Sequence, residues 1–319
     1  MIYTFLHTRF KLNIQNYISE NSNILIALSS GQDSLCLLKL LDNCLKKNKN
    51  KIEAIYIDHQ WKKDSKAHSE HILNIMEAIK IPITIYQIKE SPISELESRK
   101  MRYKIFITHA IKENFSILIT GHNNNDQIET FLYNIFRGTS MQGISNFTIS
   151  KKINNRLSIL RPLINFKKSE IAWFCRLFYL PIWSDITNYN FYIKRNRLRY
   201  EIIPYLTNHF NPKIEKTLTD FIKLCQNDNE YIQENTIKLY IKSKNKRFIS
   251  LNLSIIKKQQ YVLQKRVLRL YFYYNFHKQI NQKIIITILR LNSIQKSKML
   301  YFNNLALEYY NGWLYVNFT

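Results

Sequence analysis

The strongest constraint on the fold is an alternation of short apolar runs with helical stretches, which occupies the first 136 residues of this 319-residue chain. Leucine and isoleucine recur at helical spacing between the runs. The runs are nearly all apolar, as expected of strands that helices cover on both faces. The pattern therefore predicts an α/β fold with a doubly wound parallel sheet. The expected strands cover residues 24–28, 52–57, 83–88 and 117–120.

The alternation fades near residues 151–155, which we expect to form a basic loop. The break at Phe210-Asn211-Pro212 divides the chain into an α/β domain, residues 1–212, and a smaller, mainly helical domain, residues 213–319. Its last stretch, residues 299–318, reads as two strands that turn at Asn311-Gly312. The later expected helices cover residues 168–177, 196–206, 216–240 and 259–276.

The turn after the first strand, Ser29-Ser30-Gly31-Gln32-Asp33-Ser34, has the composition of a phosphate-binding loop. Backbone N–H groups at a helix start, with the positive end of the helix dipole, favour a bound anion. Gly31 lets the backbone approach the anion closely, and Asp33 is useful beside phosphates if it binds Mg²⁺. The loop is neither the common NTPase loop nor the dinucleotide fingerprint. A serine-capped helix start without a ligand is the alternative.

The net charge of +24, from 47 basic against 23 acidic residues, predicts a polyanionic partner. An AT-rich coding bias is the alternative, but it does not explain the scarcity of acidic residues. Nucleic acid is the expected partner rather than a membrane, because no apolar run reaches the ~18 residues that a membrane span needs. The four cysteines form no Cys-x-x-Cys pair, which favours free buried thiols.

The loop resembles the Ser-Gly-Gly-x-Asp-Ser signature of the N-type ATP pyrophosphatases, with Ser30 in place of the first glycine. Over nearly its full length the chain also resembles the tRNA(Ile)-lysidine synthetases. Asn125 replaces the first aspartate of one family motif, so only Asp126 is carried over. The motifs that carry this resemblance follow one another in the family's order: Ile57–Lys62, Glu95–Tyr103, Gly121–Thr130, Arg137-Gly138-Thr139 with Gly143, Arg161-Pro162-Leu163, Trp183–Asn188, Arg195–Arg199 and Pro204.

The resemblance implies an ATP-dependent carbon–nitrogen ligase that modifies tRNA. ATP would attach AMP to the carbonyl oxygen at carbon two of the wobble cytidine in tRNA(Ile) with a CAU anticodon. The side-chain amine of free L-lysine would then displace AMP and leave lysidine. ATP and Mg²⁺ are therefore the expected cofactors, whereas the sequence leaves open whether two chains form a homodimer.

The ends of parallel strands lie at one sheet edge, so we expect Asp33, His59, His122 and Asp126 to lie near one another. Asp58 and Asp126 are both candidates for the base that deprotonates the lysine amine. Structural histidines, surface arginines and a helix C-cap at Arg137 are the alternatives. The expected site residues are: catalytic, Asp33, Arg99, His122 and Asp126; metal-binding, Asp33 and Asp126; ATP-binding, Ser29, Ser30, Gly31, Gln32, Asp33, Ser34, Asp58 and His59; tRNA-binding, Arg137, Arg195, Arg199, Lys265 and Arg269.

Three other functions fit the predicted fold. A tRNA thiolase normally needs paired cysteines, and a glutamine-dependent synthetase needs an amidotransferase segment; neither feature is visible. A non-catalytic RNA-binding protein with a decayed loop is favoured by Ser30 and Asn125. With no targeting segment, an AT-rich composition and a plastid- and cyanobacterium-like segment at Ile57–Lys62, we expect a plastid-encoded protein, with a bacterial cytoplasm as the alternative.

Overall fold

The computed structural model describes residues 2–45, 50–59, 65–88, 95–145, 147–183, 192–291, 298–302 and 304–318. The chain divides into two compact units, Met1–Lys223 and Leu224–Thr319. This division falls inside one long helix, Ile214–Ser243, whereas the domain boundary predicted from the sequence lies just before that helix begins.

A six-stranded sheet forms the centre of the first unit, in the order β3-β2-β1-β4-β6-β5. All neighbouring strands are parallel except β5, which runs antiparallel to β6. The mainly parallel, doubly wound sheet is confirmed. The strands are β1 Asn23–Leu28, β2 Lys51–His59, β3 Ile83–Ile88, β4 Ile117–Thr120, β5 Ser150–Lys152 and β6 Ser158–Leu160.

The prediction of a loop over residues 151–155 was wrong at its start, because β5 pairs with β6 there. The strand has only three residues, and Lys151 and Lys152 are exposed. A short, basic edge strand of this kind carries no apolar alternation by which sequence could reveal it.

Helices cover both faces of the sheet. The predicted helix over residues 168–177 is confirmed. The helix predicted over residues 196–206 is instead two short helices joined by a π-helical turn, Leu198–Ile202. Pro204 has no N–H group, so a regular hydrogen-bond ladder cannot pass through this stretch. The helices are α1 Phe5–Ile14, α2 Gln32–Leu45, α3 Ser65–Ile79, α4 Glu95–Lys112, α5 Asn124–Phe136, α6 Met141–Ile144, α7 Lys168–Leu177, α8 Lys194–Arg197, α9 Ile203–His209 and α10 Ile214–Ser243.

Both faces of β1 are buried, which explains why its sequence is apolar throughout. Ile24 and Ile26 pack into one core with α2 and α7, and neither is exposed to solvent. Leu25 belongs to a second core on the opposite face, together with Phe106 and Ala110 of α4. Two cores on one sheet are the packing that continuous apolar strands predict.

The second unit contains a four-stranded antiparallel sheet in the order β7-β10-β9-β8, with three helices after β7. The prediction of only two strands here was wrong, since β7 and β8 are also present. The predicted turn is confirmed: Asn311 and Gly312 both have positive φ, 45° and 84°, as a tight hairpin turn requires. The elements are β7 Ser250–Asn252, α11 Leu253–Lys257, α12 Tyr261–Phe276, α13 Gln282–Leu289, β8 Lys298–Phe302, β9 Leu305–Tyr310 and β10 Trp313–Phe318.

The core of the second unit is rich in aromatic side chains from α12. Tyr271 and Phe272 are buried, and the Tyr271 hydroxyl donates a hydrogen bond to the Ile249 carbonyl at 3.0 Å. Tyr274 of the same helix is exposed. Within the described ranges, no helix combines the length and apolar composition that crossing a bilayer requires.

Two backbone segments of the first unit meet closely at Gly121. A Cβ atom on Gly121, just after β4, would lie 3.3 Å from the Asp33 carbonyl carbon and oxygen and from the Ser34 nitrogen. Backbone atoms cannot move aside as a flexible side chain can. The absence of a side chain at Gly121 therefore allows the end of β4 to approach the start of α2.

We expect Gly121→Ala to lower the free energy of unfolding by about 1–3 kcal/mol, because the added methyl group overpacks this contact. Urea denaturation measures the change. Gly31→Ala is the matched control: its Cβ would lie 3.4 Å from Ser29 Oγ, an ordinary contact, so stability should stay within about 1 kcal/mol of the wild type. Equal stability of Gly121→Ala and the wild type would contradict the packing argument.

Candidate active site

The predicted phosphate loop connects β1 to α2, and hydrogen bonds to two of its serine hydroxyls stabilise it. Ser34 Oγ accepts a hydrogen bond from the Ser29 N–H at 2.7 Å, and Ser29 Oγ lies 3.4 Å from the Gly31 nitrogen that donates to it. The Ser30 carbonyl accepts from the Trp183 N–H at 3.1 Å. The first N–H groups of α2 have no partner within the helix and are available to an anion.

Ser30, which departs from the family signature, fits this backbone without strain. Neither Ser30 nor Gly31 has a φ in the left-handed region that favours glycine; among the described glycines only Gly138 and Gly312 do. A residue with a side chain can therefore occupy position 30 in this turn.

Asp33 lies in the first turn of α2 and is paired with a residue that the sequence analysis missed. Lys168 Nζ, at the start of α7, lies 2.8 Å from Asp33 Oδ1 and 2.7 Å from Oδ2. The two residues are 135 positions apart. The lysine belongs to none of the motifs that carry the family resemblance, so no sequence signal indicated it.

Asp126 lies in the first turn of α5, where it forms a reciprocal capping pair with Asn123. Its N–H donates to Asn123 Oδ1 at 3.1 Å, and its Oδ2 accepts from the Asn123 N–H at 3.0 Å. Burial raises the pKa of Asp126, and so does the negative charge of Asp33, while the Asn123 N–H and Arg199 oppose the increase. Asn125, the residue before Asp126, accepts a hydrogen bond from the N–H of Lys168, whose ammonium group contacts Asp33, so the two carboxylates lie in one site.

The two carboxylates fit the donor set of a magnesium ion. Mg²⁺ is usually bound by one or two carboxylates together with substrate phosphates. Asp33 and Asp126 supply this number beside the phosphate loop. The described part of the chain contains no group of three or more His, Cys, Asp or Glu side chains that could enclose a metal without such a substrate.

A buried ion pair lies next to Asp126. Arg199 Nε donates to Glu129 Oε1 at 2.6 Å, and its Nη2 donates to Glu129 Oε2 at 3.1 Å and to Asp126 Oδ1 at 3.4 Å. Burial raises the pKa of Glu129 to about 7, with Arg199 opposing. The arginine predicted to bind tRNA is thus held between two carboxylates of the site, and its contact with tRNA stays a prediction.

His122 follows β4 and is held in one tautomer by its two neighbours. Arg99 Nη2 lies 3.0 Å from His122 Nε2, and Thr120 Oγ1 lies 2.9 Å from Nδ1. A guanidinium group can only donate, so Nε2 accepts and the ring proton is on Nδ1, which donates to Thr120. Burial lowers the pKa of His122 well below 6.5, and the charges of Arg99, Arg161, Arg195 and Arg102 lower it further.

Two buried donors beside His122 have no hydrogen-bond partner: Tyr103 Oη and Arg161 Nε. The Tyr103 ring stacks on His122 with a centroid distance of 6.5 Å, and the Arg161 guanidinium lies 5.0 Å from the centroid of Phe147. Leaving such donors unpaired costs about 1–3 kcal/mol each, so they favour a ligand with acceptor atoms.

The remaining predicted ATP-binding residues have mixed positions. Asp58, at the end of β2, is buried and its Oδ1 accepts a hydrogen bond from the Ser65 hydroxyl at the start of α3. Gln32 is the first residue of α2, and its carbonyl accepts from Cys175 Sγ at 3.5 Å. The side chain of His59 and residues 60–62, 185 and 188 lie outside the described residues.

The other predicted tRNA-binding residues are spread over both units. Arg137 is the C-cap of α5, and its guanidinium lies 5.3 Å from the Tyr133 ring centroid. Arg195 lies on α8, and its charge reaches His122. In the second unit, Lys265 Nζ lies over the Tyr261 ring at 4.7 Å and Arg269 is exposed. The geometry does not test their contact with tRNA.

His122 should be neutral at pH 6.5, where a free imidazole is half protonated, with its proton on Nδ1. Nitrogen-15 NMR of the imidazole ring distinguishes the tautomers. Because the folded pKa is lower than the unfolded value of about 6.5, the unfolded chain binds a proton that the folded chain does not, and stability falls as the pH drops below 6.5. Arg99→Gln should raise the pKa, since it removes the nearest cation. A ring that protonates near pH 6.5 in the wild type would contradict this arrangement.

Comparison with known proteins agrees with the fold and the site. A family profile described as a PP-loop domain matches residues 4–206. The chain is 43% identical to the chloroplastic tRNA(Ile)-lysidine synthase of Gracilaria tenuistipitata var. liui, over 99% of this chain and 100% of that one. It is 31% identical to the tRNA(Ile)-lysidine synthase of a Nostoc species, over 93% and 89% of the two chains.

Among solved structures, the U34-tRNA thiolase NcsA from Methanococcus maripaludis matches with a TM-score of 0.58 and 17% identity, over 70% of this chain and 78% of that one. At this identity the likeness is one of fold. That thiolase structure contains a [4Fe-4S] cluster, and such clusters are held by several cysteine thiolates. All four cysteines of this chain are free, and the described residues contain no group of side chains that could hold a metal. With the full-length sequence matches, these findings confirm the predicted family: the chain belongs to the tRNA(Ile)-lysidine synthase family of PP-loop proteins.

Proposed function

We propose that the chain uses ATP and Mg²⁺ to ligate free L-lysine to carbon two of the wobble cytidine in tRNA(Ile) with a CAU anticodon. The modified base pairs with A instead of G, and the tRNA is charged with isoleucine instead of methionine. The observation that carries the proposal is the placement of Asp33 and Asp126 beside the phosphate loop, since Lys168 contacts Asp33 through its ammonium group and Asn125, the neighbour of Asp126, through its N–H. His122, which is bound by Arg99, follows Gly121, whose backbone meets that of Asp33.

The loop Ser29–Ser34 would bind the phosphates of ATP and the departing pyrophosphate. The free N–H groups at the start of α2 and the helix dipole favour the negative charge that develops there. Asp33 and Asp126 would hold Mg²⁺, which when bound supplies positive charge to the phosphates. The elements that present both carboxylates are helix first turns, so their positions are set before ATP arrives.

The cationic side chains around His122 suit the nucleobase that is activated, the wobble cytidine. The carbonyl oxygen at carbon two of cytidine is an acceptor, and Tyr103 Oη and Arg161 Nε are buried donors without partners. Arg99 is oriented by its hydrogen bond to the neutral ring of His122. We propose that these donors bind the cytidine oxygen or the AMP phosphate attached to it, where negative charge accumulates.

The incoming lysine amine must lose a proton before it attacks. Of the two candidate bases, Asp58 is buried and accepts a hydrogen bond from Ser65, whereas Asp126 lies next to the loop. A raised pKa makes a carboxylate a stronger base, and the pKa values of both Asp126 and Glu129 are raised. We therefore propose that Glu129 helps to bind the lysine side chain and that Asp126 takes its proton through the carboxylate oxygen that does not hold Mg²⁺.

We expect Asp33→Asn to retain the fold and to lose adenylation by roughly 10²-fold or more, since the charge that binds Mg²⁺ is removed. Release of pyrophosphate in the presence of cytidine-bearing tRNA measures the rate. Asp42→Asn, a change on the same helix and more than two turns away, is the control and should retain activity. Turnover of Asp33→Asn near the wild-type rate would remove Asp33 from the mechanism.

We also propose that the second unit binds the body of the tRNA. Lys265 and Arg269 are four residues apart on α12 and share one face, with Arg266 beside them. Burial and the neighbouring charge of Arg269 lower the pKa of Arg266, as expected where cations lie close together. Lysine and arginine on such a face contact phosphates and release counterions.

Lys265→Ala with Arg269→Ala should raise the KM for tRNA and leave ATP affinity unchanged. Each lost phosphate contact should flatten the salt dependence of binding by about one unit of slope. Lys66→Ala with Lys112→Ala is the control, because these lysines of the first unit pair with Glu70 and Glu113 at 3.9 and 3.8 Å. A loss of ATP affinity without loss of tRNA affinity would place α12 in the active site instead.

A tRNA-binding protein without catalysis is the second candidate, because Ser30 and Asn125 depart from the family motifs. Asn125 Nδ2 donates to Glu215 Oε1 at 3.1 Å, and its Oδ1 accepts from the Lys168 N–H at 3.2 Å. An aspartate at this position would place a like charge against Glu215, so the asparagine suits its surroundings. Nucleoside analysis of tRNA incubated with the protein, ATP and lysine separates the candidates, since only the ligase forms lysidine.

We propose that the protein is encoded and works within an algal plastid. The chloroplastic synthase of Pyropia yezoensis is 33% identical over 98% of this chain, which supports the proposal. A gene in a nuclear genome, preceded by a transit sequence, would contradict it.

A further inference from the structure

Lys168 binds both oxygens of the Asp33 carboxylate, the group that the proposed function assigns to Mg²⁺. We propose that Lys168 is a further phosphate-binding residue. In the ligand-free chain its ammonium group neutralises Asp33, and when Mg²⁺ occupies Asp33 the ammonium group contacts the ATP phosphates instead. This inference rests on the proposed function for the role of Asp33. It adds a cation to the site that no sequence motif indicated.

The backbone of Lys168 is held firmly beside the loop. Its N–H donates to Asn125 Oδ1 at 3.2 Å, which ties the start of α7 to the first turn of α5. Further along, α7 packs against α2 in the main core of the first unit, through Ile171, Phe174 and Cys175, all of them buried. The start of the side chain is therefore fixed close to the loop, whether or not the ion pair is formed.

The side chain of Lys168, in contrast, is able to move. It is 42% exposed, and the Asp33 side chain is 26% exposed. An ion pair at this exposure contributes only about 0–1 kcal/mol, because water screens the attraction and the long side chain loses freedom. The ammonium lies on a flexible four-carbon stem. The contact with Asp33 is consequently easy to exchange for another anion.

Two cations compete for one carboxylate in this arrangement. A metal ion on Asp33 needs at least one of the two oxygens that Lys168 now contacts at 2.7 and 2.8 Å. Displacing the ammonium leaves an unpaired positive charge beside the loop to which Asp33 belongs. The phosphates of ATP are the strongest anions that such a loop would bind, and lysine is a common ligand for phosphate. Lys168 would thus add positive charge where pyrophosphate leaves.

A passive ion pair between α2 and α7 is the alternative explanation. If Lys168 only held the two helices in place, its removal would loosen the loop, and affinity for both metal and ATP would fall together. The proposed exchange predicts changes of opposite sign. Removing a competing cation strengthens metal binding in the absence of nucleotide, and removing a phosphate ligand weakens the binding of ATP.

Lys168→Met tests the exchange, with Lys167→Met, a change at the exposed neighbouring lysine, as the matched control. Without nucleotide, binding of Mn²⁺ measured by electron paramagnetic resonance should become about 5-fold tighter. With saturating Mg²⁺, the Kd for ATP measured by calorimetry should rise about 10- to 100-fold, the loss expected for one charged contact. Lys167→Met should leave both affinities unchanged.

Weaker or unchanged Mn²⁺ binding by Lys168→Met, or an unchanged Kd for ATP, would overturn the proposal. If Lys168→Met does not fold, Lys168→Gln carries the same two expectations, since glutamine is neutral and can still donate to Asp33. Neither measurement contains tRNA or lysine. Absence of lysidine in the nucleoside analysis would therefore overturn the proposed function and leave the result for Lys168 standing.

Discussion

Burial of β1 on both faces is the constraint on which the rest of the first unit depends. Ile24 and Ile26 pack on one side and Leu25 on the other, so helices must cover the sheet on both sides. Crossover helices of this kind require parallel strands, and parallel strands end at a common edge. The loop after β1 and the Gly121 turn after β4 meet at that edge because these two strands are neighbours. The active-site position follows from a packing requirement.

Charge balance is the second principle of the site. Two carboxylates near the sheet edge are matched by a cation: Asp33 by Lys168, and Glu129 by Arg199. His122 is the opposite case, since it lies among several arginines and stays neutral, which lets it accept from Arg99. Acidic side chains thus lie at the phosphate loop, and the charges of several arginines act on His122. This separation suits a reaction with a metal-bound leaving group on one side and a polarised carbonyl oxygen on the other.

The two departures from the family motifs are accommodated locally. The backbone at Ser30 has no left-handed φ, so the turn does not require a glycine there. Asn125 uses its donor for Glu215 and its acceptor for the Lys168 N–H, a combination that a carboxylate could not supply. Both residues belong to the hydrogen-bonded structure around the loop, and neither leaves a buried group unpaired. The features that favoured a decayed site thus have structural explanations.

The sequence by itself determined the fold class, the family and the position of the phosphate loop. Apolar strands and ordered motifs are local signals, and a strand such as Asn23–Leu28 is readable because every residue that identifies it is adjacent in the chain. The helix over residues 168–177 was readable for the same reason. The short edge strand β5 carried no such signal. The residues of β8 and β9 were predicted to form a single strand.

Only the tertiary structure decided which charges meet. Lys168 contacts Asp33 across 135 positions, and Arg199 contacts Glu129 across 70. A lysine at the start of a helix looks like an ordinary surface residue when the chain is read alone, and the sequence assigned Arg199 to tRNA and gave no sign of its contact with Glu129. The tautomer of His122 is also not visible in the sequence, because it depends on Arg99 from a helix and on Thr120 from a strand end. Pairing of distant ionisable groups follows from the packing of α7 on α2 and of the π-helical turn beside α5, which no local pattern records.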